Sequence, residues 1–238
     1  NEWWIQDSSL VDYDKPQRRD KATKEVYEVF RRYTRDVKVL RPRDTKEPEH
    51  VEMSRRRAHF YILTVYNFVC RPGDECLKLR FGDLTAMESE MQEGSYWVVM
   101  RTKYGKKVNK RKLSGPRELI YHSDYNYFGY LKTWIEFLRS KDYPTGHDDF
   151  VFPVRKVKDR TYVHYGSMAS ARYLRGIKPK VKEWCRTKRQ DGLTTDLDTE
   201  IEMFSMYSVR HIAIRNLIVE SEYDFSRVAE RANTGVSM

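Results

Sequence analysis

The run of apolar and aromatic residues from Val51 to Val69 constrains this chain more than any other stretch. It carries Phe60, Ile62, Leu63, Val65, Tyr66 and Phe68, enough apolar surface for a helix buried on most of its sides. Arg71-Pro72-Gly73 ends it, and a short helix through Leu77 and Leu79 is expected next. Apolar spacing predicts more helices around it. One spans 21–40, with Val26, Val29, Phe30, Tyr33, Val37 and Leu40; another spans 125–139, with Leu131, Trp134, Ile135 and Leu138 inward. A third is expected over 167–186 with a break at Gly176 and Pro179, and a last one over 225–231.

Strand propensity is concentrated in the middle of the chain. Residues 95–101 predict a strand, 103–107 a turn, 108–113 the returning strand, and 118–120 a third strand after the Gly115-Pro116 turn. Phe150 to Pro153 is expected as a short buried segment. Residues 155–165 read as an irregular basic loop or small hairpin, and the acidic, threonine-rich stretch 190–202 as a loop. The first 20 residues, with Trp3, Trp4 and Pro16, read as a linker or arm, and 21–238 as the domain proper. The pattern predicts a mainly α fold with a small antiparallel β-sheet, an α+β arrangement.

Charge points to the partner. Lys and Arg number 45 against 35 Asp and Glu, a net charge of +10, so a polyanion is the expected partner class. Aromatic residues at 13% argue for a folded basic protein rather than a basic tail. Cys70, Cys76 and Cys185 offer neither a metal spacing nor a disulfide framework, which suits a reducing cytosol, and they read as packing residues. No apolar run approaches a membrane span and no signal peptide is visible.

Two stretches carry candidate chemistry. In Tyr207-Ser208-Val209-Arg210-His211, the apolar stripe of Val209, Ile212, Ala213 and Leu217 opens a helix. Arg210 and His211 are then expected in its first turn, beside amides that favour an anion. The competing reading is a capped helix followed by a solvated arginine. The second stretch is Cys70-Arg71-Pro72-Gly73-Asp74-Glu75-Cys76-Leu77-Lys78-Leu79-Arg80-Phe81-Gly82-Asp83-Leu84. Its Arg71 lies between an apolar helix and a Pro-Gly turn, an odd place for a merely solvated side chain; the competing reading is a cation capping that helix.

Together, in this order and separation, the two stretches resemble the boxes of the tyrosine recombinases, the phage integrase family, over roughly Lys21 to Met238. The resemblance implies the family's catalytic domain. It implies site-specific DNA recombination by attack of a tyrosine on a backbone phosphate, through a 3′-phosphotyrosyl link and without metal or nucleotide cofactor. Arg71 and Arg210 would grip the phosphate with forked donors, each worth on the order of 10²–10³ in rate. Asp74 or Glu75 would orient an arginine; the family spacing favours one and the leucine alignment the other. Lys103, at the hairpin tip, falls on the general-acid lysine, a proton transfer worth roughly 10²–10⁴. Its neighbours Lys106, Lys107, Lys110 and Arg111 make a basic hairpin touching phosphates the competing reading. His211 takes a supporting place. Tyr207 and Asn233 stand where many members carry histidine, or histidine or tryptophan, so two neutral groups replace ionisable or larger ones.

In the family the nucleophile follows the Asn233 position by a few residues, so it is expected beyond Met238; Tyr223 lies on the wrong side of that box. The chain is therefore expected to hold a phosphate without cutting it. Implied partners are duplex DNA, touched by the basic hairpin and by residues 155–189, and sister protomers in a tetramer on that DNA. The implied setting is the cytoplasm of a prokaryotic cell or phage-infected host. Two rival readings remain. One is a DNA-binding module that keeps the fold without cleaving; the other is an RNA-binding protein that would offer Tyr96 and Trp97 for base stacking.

Overall fold

Helix α2 (Glu49–Phe68) is the axis of the molecule, with Phe60, Tyr61, Ile62, Leu63, Val65 and Phe68 all buried. The computed structural model describes residues 23–36, 47–88, 96–102, 107–108, 111–112, 117–123, 126–156, 158–189 and 197–222, with Asp224 and Val228. Helix α1 (Lys24–Asp36) packs on α2 through Val26, Tyr27, Phe30 and Tyr33, and the Tyr27 ring stacks on Tyr66 at 4.1 Å. Helix α4 (Asn126–Arg139) packs on α2 through Tyr127, Leu131, Trp134 and Leu138. Phe60 sits at the centre of that contact, with ring centroids 5.5 Å from Tyr127, 5.9 Å from Trp134 and 5.7 Å from Phe152. Helix α5 (Ser167–Arg189) lies against α1, and Tyr33 meets Trp184 edge-on. Helix α7 (Met206–Glu220) packs on α2 with Val209, Ile212 and Ala213 inward, as the sequence spacing predicts.

The mainly α fold with small antiparallel sheets is the class the sequence predicts, but the strands pair differently. The principal sheet has the order β1-β2-β5, from Leu84–Glu88, Tyr96–Thr102 and Arg117–Ser123. In this antiparallel sheet Met100 is opposite Leu84 on one side and Leu119 on the other. The stretch expected to return beside 95–101 instead folds on itself, as the two-residue strands β3 (Lys107–Val108) and β4 (Arg111–Lys112). Strand β1 was not anticipated: Leu-Thr-Ala-Met-Glu has weak strand propensity, and most of it is exposed. Backbone pairing to β2 decides its conformation.

Two further expectations are corrected, and one alternative left open is resolved. Helix α5 runs unbroken through Gly176 and Pro179, because Leu174, Ile177, Val181 and Trp184 keep one face buried across the proline. Residues 155–165 resolve as a hairpin of β6 (Pro153–Arg155) and β7 (Tyr162–His164). The expected loop 190–202 contains helix α6 (Asp198–Met203), whose Ile201 is fully buried. The expected arm 1–20 and nearly all of the expected helix 225–231 lie outside the described residues.

The buried polar groups of α2 are matched in different ways. Arg55 donates to the Glu47 carboxylate at 2.9 Å and to the Thr34 carbonyl at 2.8 Å. His59 is different, because burial and then the charges of Arg31, Arg35 and Arg55 push its pKa down to about 4. A histidine depressed in the folded state binds fewer protons there than in the unfolded chain. Its contribution to stability is therefore complete above about pH 6.5 and is lost as pH falls towards 4. The unfolding free energy is expected to fall by roughly 3 kcal/mol across that window because of this group alone. Urea titrations of the wild type and His59→Gln measure it: equal pH slopes would refute the assignment.

Candidate active site

Val69 closes α2 in the left-handed region at φ 52°, and the chain turns through Cys70, Arg71 and Pro72. Gly73 follows at φ 118°, a conformation that side chains other than hydrogen resist. Its amide donates to the Tyr61 hydroxyl at 3.2 Å, which ties the turn back to α2. Burial pushes the Tyr61 pKa well up, so the phenol stays neutral in this role. The turn leads into the short helix α3 (Asp74–Leu77), where neighbouring acids face opposite ways. Asp74 is on the outside, paired with Lys78 at 3.0 Å.

Glu75 points inward. It is 3% exposed, and its Oε2 accepts the Arg71 amide at 2.5 Å. The same oxygen lies 4.0 Å from Nη1 of Arg210, itself 5% exposed. One carboxylate thus joins the turn that carries Arg71 to the helix that carries Arg210. Arg71 is half-buried, with its Nη1 buried. Of the two acids left open by the sequence, Glu75 is the one that contacts both stretches.

Helix α7 starts earlier than its apolar stripe implies. Ser205 caps it, its Oγ accepting the Ser208 amide at 3.2 Å while the Ser208 hydroxyl accepts the Ser205 amide at 3.1 Å. Arg210 and His211 therefore sit in the second turn, not the first, and Arg210 reaches Glu75 from inside the fold. This corrects the expectation that both lie beside the free amides of the helix start. The first turn holds Tyr207, 53% exposed and one helical step from Arg210. His211 follows, half-buried.

A cleft of about 250 Å³ opens beside these residues, lined by Tyr61, Gly73, Arg175, Lys178, Ser205 and Tyr207. Arg175 and Lys178 are one turn apart on α5, and the Lys178 ammonium donates to the Glu202 carbonyl. The sequence reading placed phosphate contacts somewhere in 155–189 without singling out either residue, although their spacing of three on one helix face was the available signal. Lys103, Lys106, Lys110, Asn233 and Tyr223 lie outside the described residues. Lys107 and Arg111 are described only as backbone in β3 and β4.

The rival stacking platform is partly occupied. The Tyr96 ring lies 4.0 Å from Phe128 in a stacked arrangement, and neither Tyr96 nor Trp97 is fully exposed. Among the described residues there is no cluster of three or more His, Cys, Asp or Glu that could hold a metal ion. No helix among them is long and apolar enough to cross a membrane. All three cysteines are buried and outside any disulfide.

The fold is thus a helical one around α2, with a small antiparallel sheet at one side and two arginine-bearing segments meeting at a buried carboxylate. Two solved structures of similar architecture are recombinases. One is the XerH site-specific recombinase bound to its difH substrate in a pre-cleavage complex: TM-score 0.46, 17% identity, covering 90% of this chain and 46% of that one. The other is the FLP recombinase–Holliday junction complex: TM-score 0.47, 11% identity, covering 97% of this chain and 46% of that one. This chain spans about half the length of each. No protein-family model and no curated protein matches it.

Proposed function

We propose that this chain is the catalytic domain of a tyrosine-type site-specific recombinase, a DNA strand transferase acting in integration or excision. The observation that carries the reading is the Glu75 carboxylate, which accepts the Arg71 amide and faces the Arg210 guanidinium. Glu75 thereby ties the turn that carries Arg71 to the helix that carries Arg210, and this reading puts both guanidinium groups on one phosphate. Guanidinium groups stay ionised under all physiological conditions, and their forks match the oxygens of a phosphate.

On this reading Arg71 and Arg210 bind the scissile phosphate and stabilise the charge that builds on it during in-line attack by a tyrosine hydroxyl. The P–O bond to the tyrosine forms as the bond to the 5′ oxygen breaks. The phosphodiester energy is kept in the covalent link, and a proton passes to the leaving oxygen, a task assigned to Lys103. Glu75 fixes the geometry of both arginine segments. Tyr207, exposed at the cleft, donates a hydrogen bond to a phosphate oxygen. Asn233 is the last residue of the proposed set. Arg175 and Lys178 extend the positive surface along α5 to neighbouring phosphates. Duplex DNA is the partner, in an assembly with sister protomers, and the setting is a cytoplasm that gives access to DNA.

The test is covalent trapping. The full-length protein, incubated with a pool of nicked duplexes of randomised sequence, is expected to yield a protein–DNA adduct that survives denaturation. Arg210→Ala should bind the pool but yield none. A second reading, a DNA-binding module that keeps the fold without cleaving, is favoured by the neutral Tyr207 at a phosphate-facing position. Salt-dependent binding with no adduct from any sequence would select it.

A further inference from the structure

The cleft between α5, α2 and the start of α7 has a wall that does not include Arg71 or Arg210. Both of their segments border it, since Gly73 lies two residues after Arg71 and Tyr207 three before Arg210. Among the described residues no carboxylate lines it, whereas several hydrogen-bond donors do.

Two of those donors are deeply set. Ser170 is 5% exposed, on the face of α5 that walls the cleft. Its amide donates to the Gly166 carbonyl at 3.0 Å, but its hydroxyl has no partner among the described residues. Hydroxyls inside helices commonly give their hydrogen to a carbonyl one turn back, as Thr64 does to Phe60 at 2.8 Å. Ser170 does not, and the open space beside it is the cleft. Tyr61 is 2% exposed, and its oxygen is held by the Gly73 amide at 3.2 Å. Burial pushes its pKa well up, so the phenol keeps its hydrogen, which goes to no described residue. Tyr207 stands near enough to act on that ionisation.

Two helix starts reach the same space. On α5, the Ser170 amide is the first to bond within the helix, so those of Ser167, Met168 and Ala169 have no intrahelical acceptor. On α7, the Ser205 cap serves the Ser208 amide and leaves those of Met206 and Tyr207. Ser167, Met206 and Tyr207 all line the cleft, and each helix start carries roughly half a positive charge. Arg175 adds a whole one: it is exposed on the cleft face of α5 and makes no ion pair with a described residue. Donors and positive potential without a carboxylate select an anion. The walls between them, from Pro72, Leu174 and Phe204, are apolar and suit the sugar beside a backbone phosphate better than a hydrated free ion.

We propose that this cleft seats a second backbone phosphate of duplex DNA, the neighbour of the one assigned to Arg71 and Arg210. The Ser170 and Tyr61 hydroxyls donate to its oxygens, and Arg175 neutralises it. Hydroxyls held this rigidly fix where the phosphate lies, so the seat sets the register of the strand across the arginines. The inference deepens the reading above and rests on its DNA-binding part, not on cleavage.

The test is binding of a duplex of fixed length by the full-length protein across a salt series. Ser170→Ala removes a hydroxyl that no described residue uses, so its Tm is expected to stay unchanged. The duplex should nevertheless bind about tenfold more weakly at every salt concentration, with the same salt slope, because the lost donor is neutral. Arg175→Gln is expected to flatten that slope by about 0.9, the share of one phosphate. If both residues hold the same phosphate, the double variant loses less than the product of the single losses, whereas separate phosphates multiply them. Wild-type affinity in folded Ser170→Ala, or a multiplicative double variant, would overturn the seat. Adduct formation with normal binding by Ser170→Ala would leave strand cleavage standing without it. Weakened binding by Ser170→Ala with no adduct from any sequence would leave the seat standing without strand cleavage.

Discussion

Arg210→Ala is expected to lose strand cleavage by at least a factor on the order of 10²–10³, measured as single-turnover adduct formation by the full-length protein. The same substitution should also destabilise the fold. Glu75 is 3% exposed and would keep the Arg71 amide but lose the guanidinium facing it. Breaking a buried ion pair from one side costs about 3–5 kcal/mol. The 4.0 Å separation of this pair and the surviving amide bond put the expected loss at or below the lower end of that range. Two further variants separate the effects. Adding Glu75→Gln to Arg210→Ala removes the buried carboxylate charge that Arg210 faced and should recover stability without recovering cleavage. Arg210→Lys keeps the charge but not the fork, so it should fold and still cleave about tenfold or more slowly. Wild-type cleavage rates in Arg210→Ala would end the assignment of this residue to the phosphate.

The helices around α2 were legible because their signal is local and repeated. Val26, Phe30 and Tyr33 in α1, and Leu131, Trp134 and Leu138 in α4, fall at spacings that only a helix places on one face. Strand β1 was not legible. Within Leu84–Glu88 only Thr85 favours an extended chain, and the decision comes from its pairing with Tyr96–Thr102. Pro179 misled for the same reason in reverse, since a local breaker was overruled by apolar residues on either side of it.

The candidate site divides in the same way. The positions of Arg71 and Arg210 in sequence pointed to two boxes, but only the fold could say that Glu75, not Asp74, turns inward between them. The start of α7 was misplaced because Ser205, three residues before Ser208, caps the helix ahead of its apolar stripe. The shape of the cleft left no trace in the sequence. Its donors Tyr61, Ser170 and Tyr207 come from three helices whose relative rotation no spacing encodes.

Phe60→Ala is the substitution expected to cost most stability. Phe60 is 2% exposed, and its ring lies among Tyr127, Trp134 and Phe152. Truncation would lose the transfer free energy of the ring and leave a cavity that three rigid aromatic neighbours cannot fill by small shifts. Such changes cost about 3–5 kcal/mol, or roughly 6–20 °C in Tm for a domain of this size. Phe60→Leu, which refills most of the space, should cost less than half as much; equal losses would mean that ring packing is not what Phe60 supplies. The consequence for the candidate site follows from α2 itself. The helix that Phe60 anchors carries Tyr61, whose hydroxyl accepts the Gly73 amide, so loosening it loosens the Arg71 turn. Phe60→Ala should therefore lose cleavage together with folded population as temperature rises, and regain it on cooling. Arg210→Ala should stay inactive at every temperature at which it is folded. Loss of cleavage in fully folded Phe60→Ala would instead mean that the α2–α4 contact sets the geometry of the arginine pair directly.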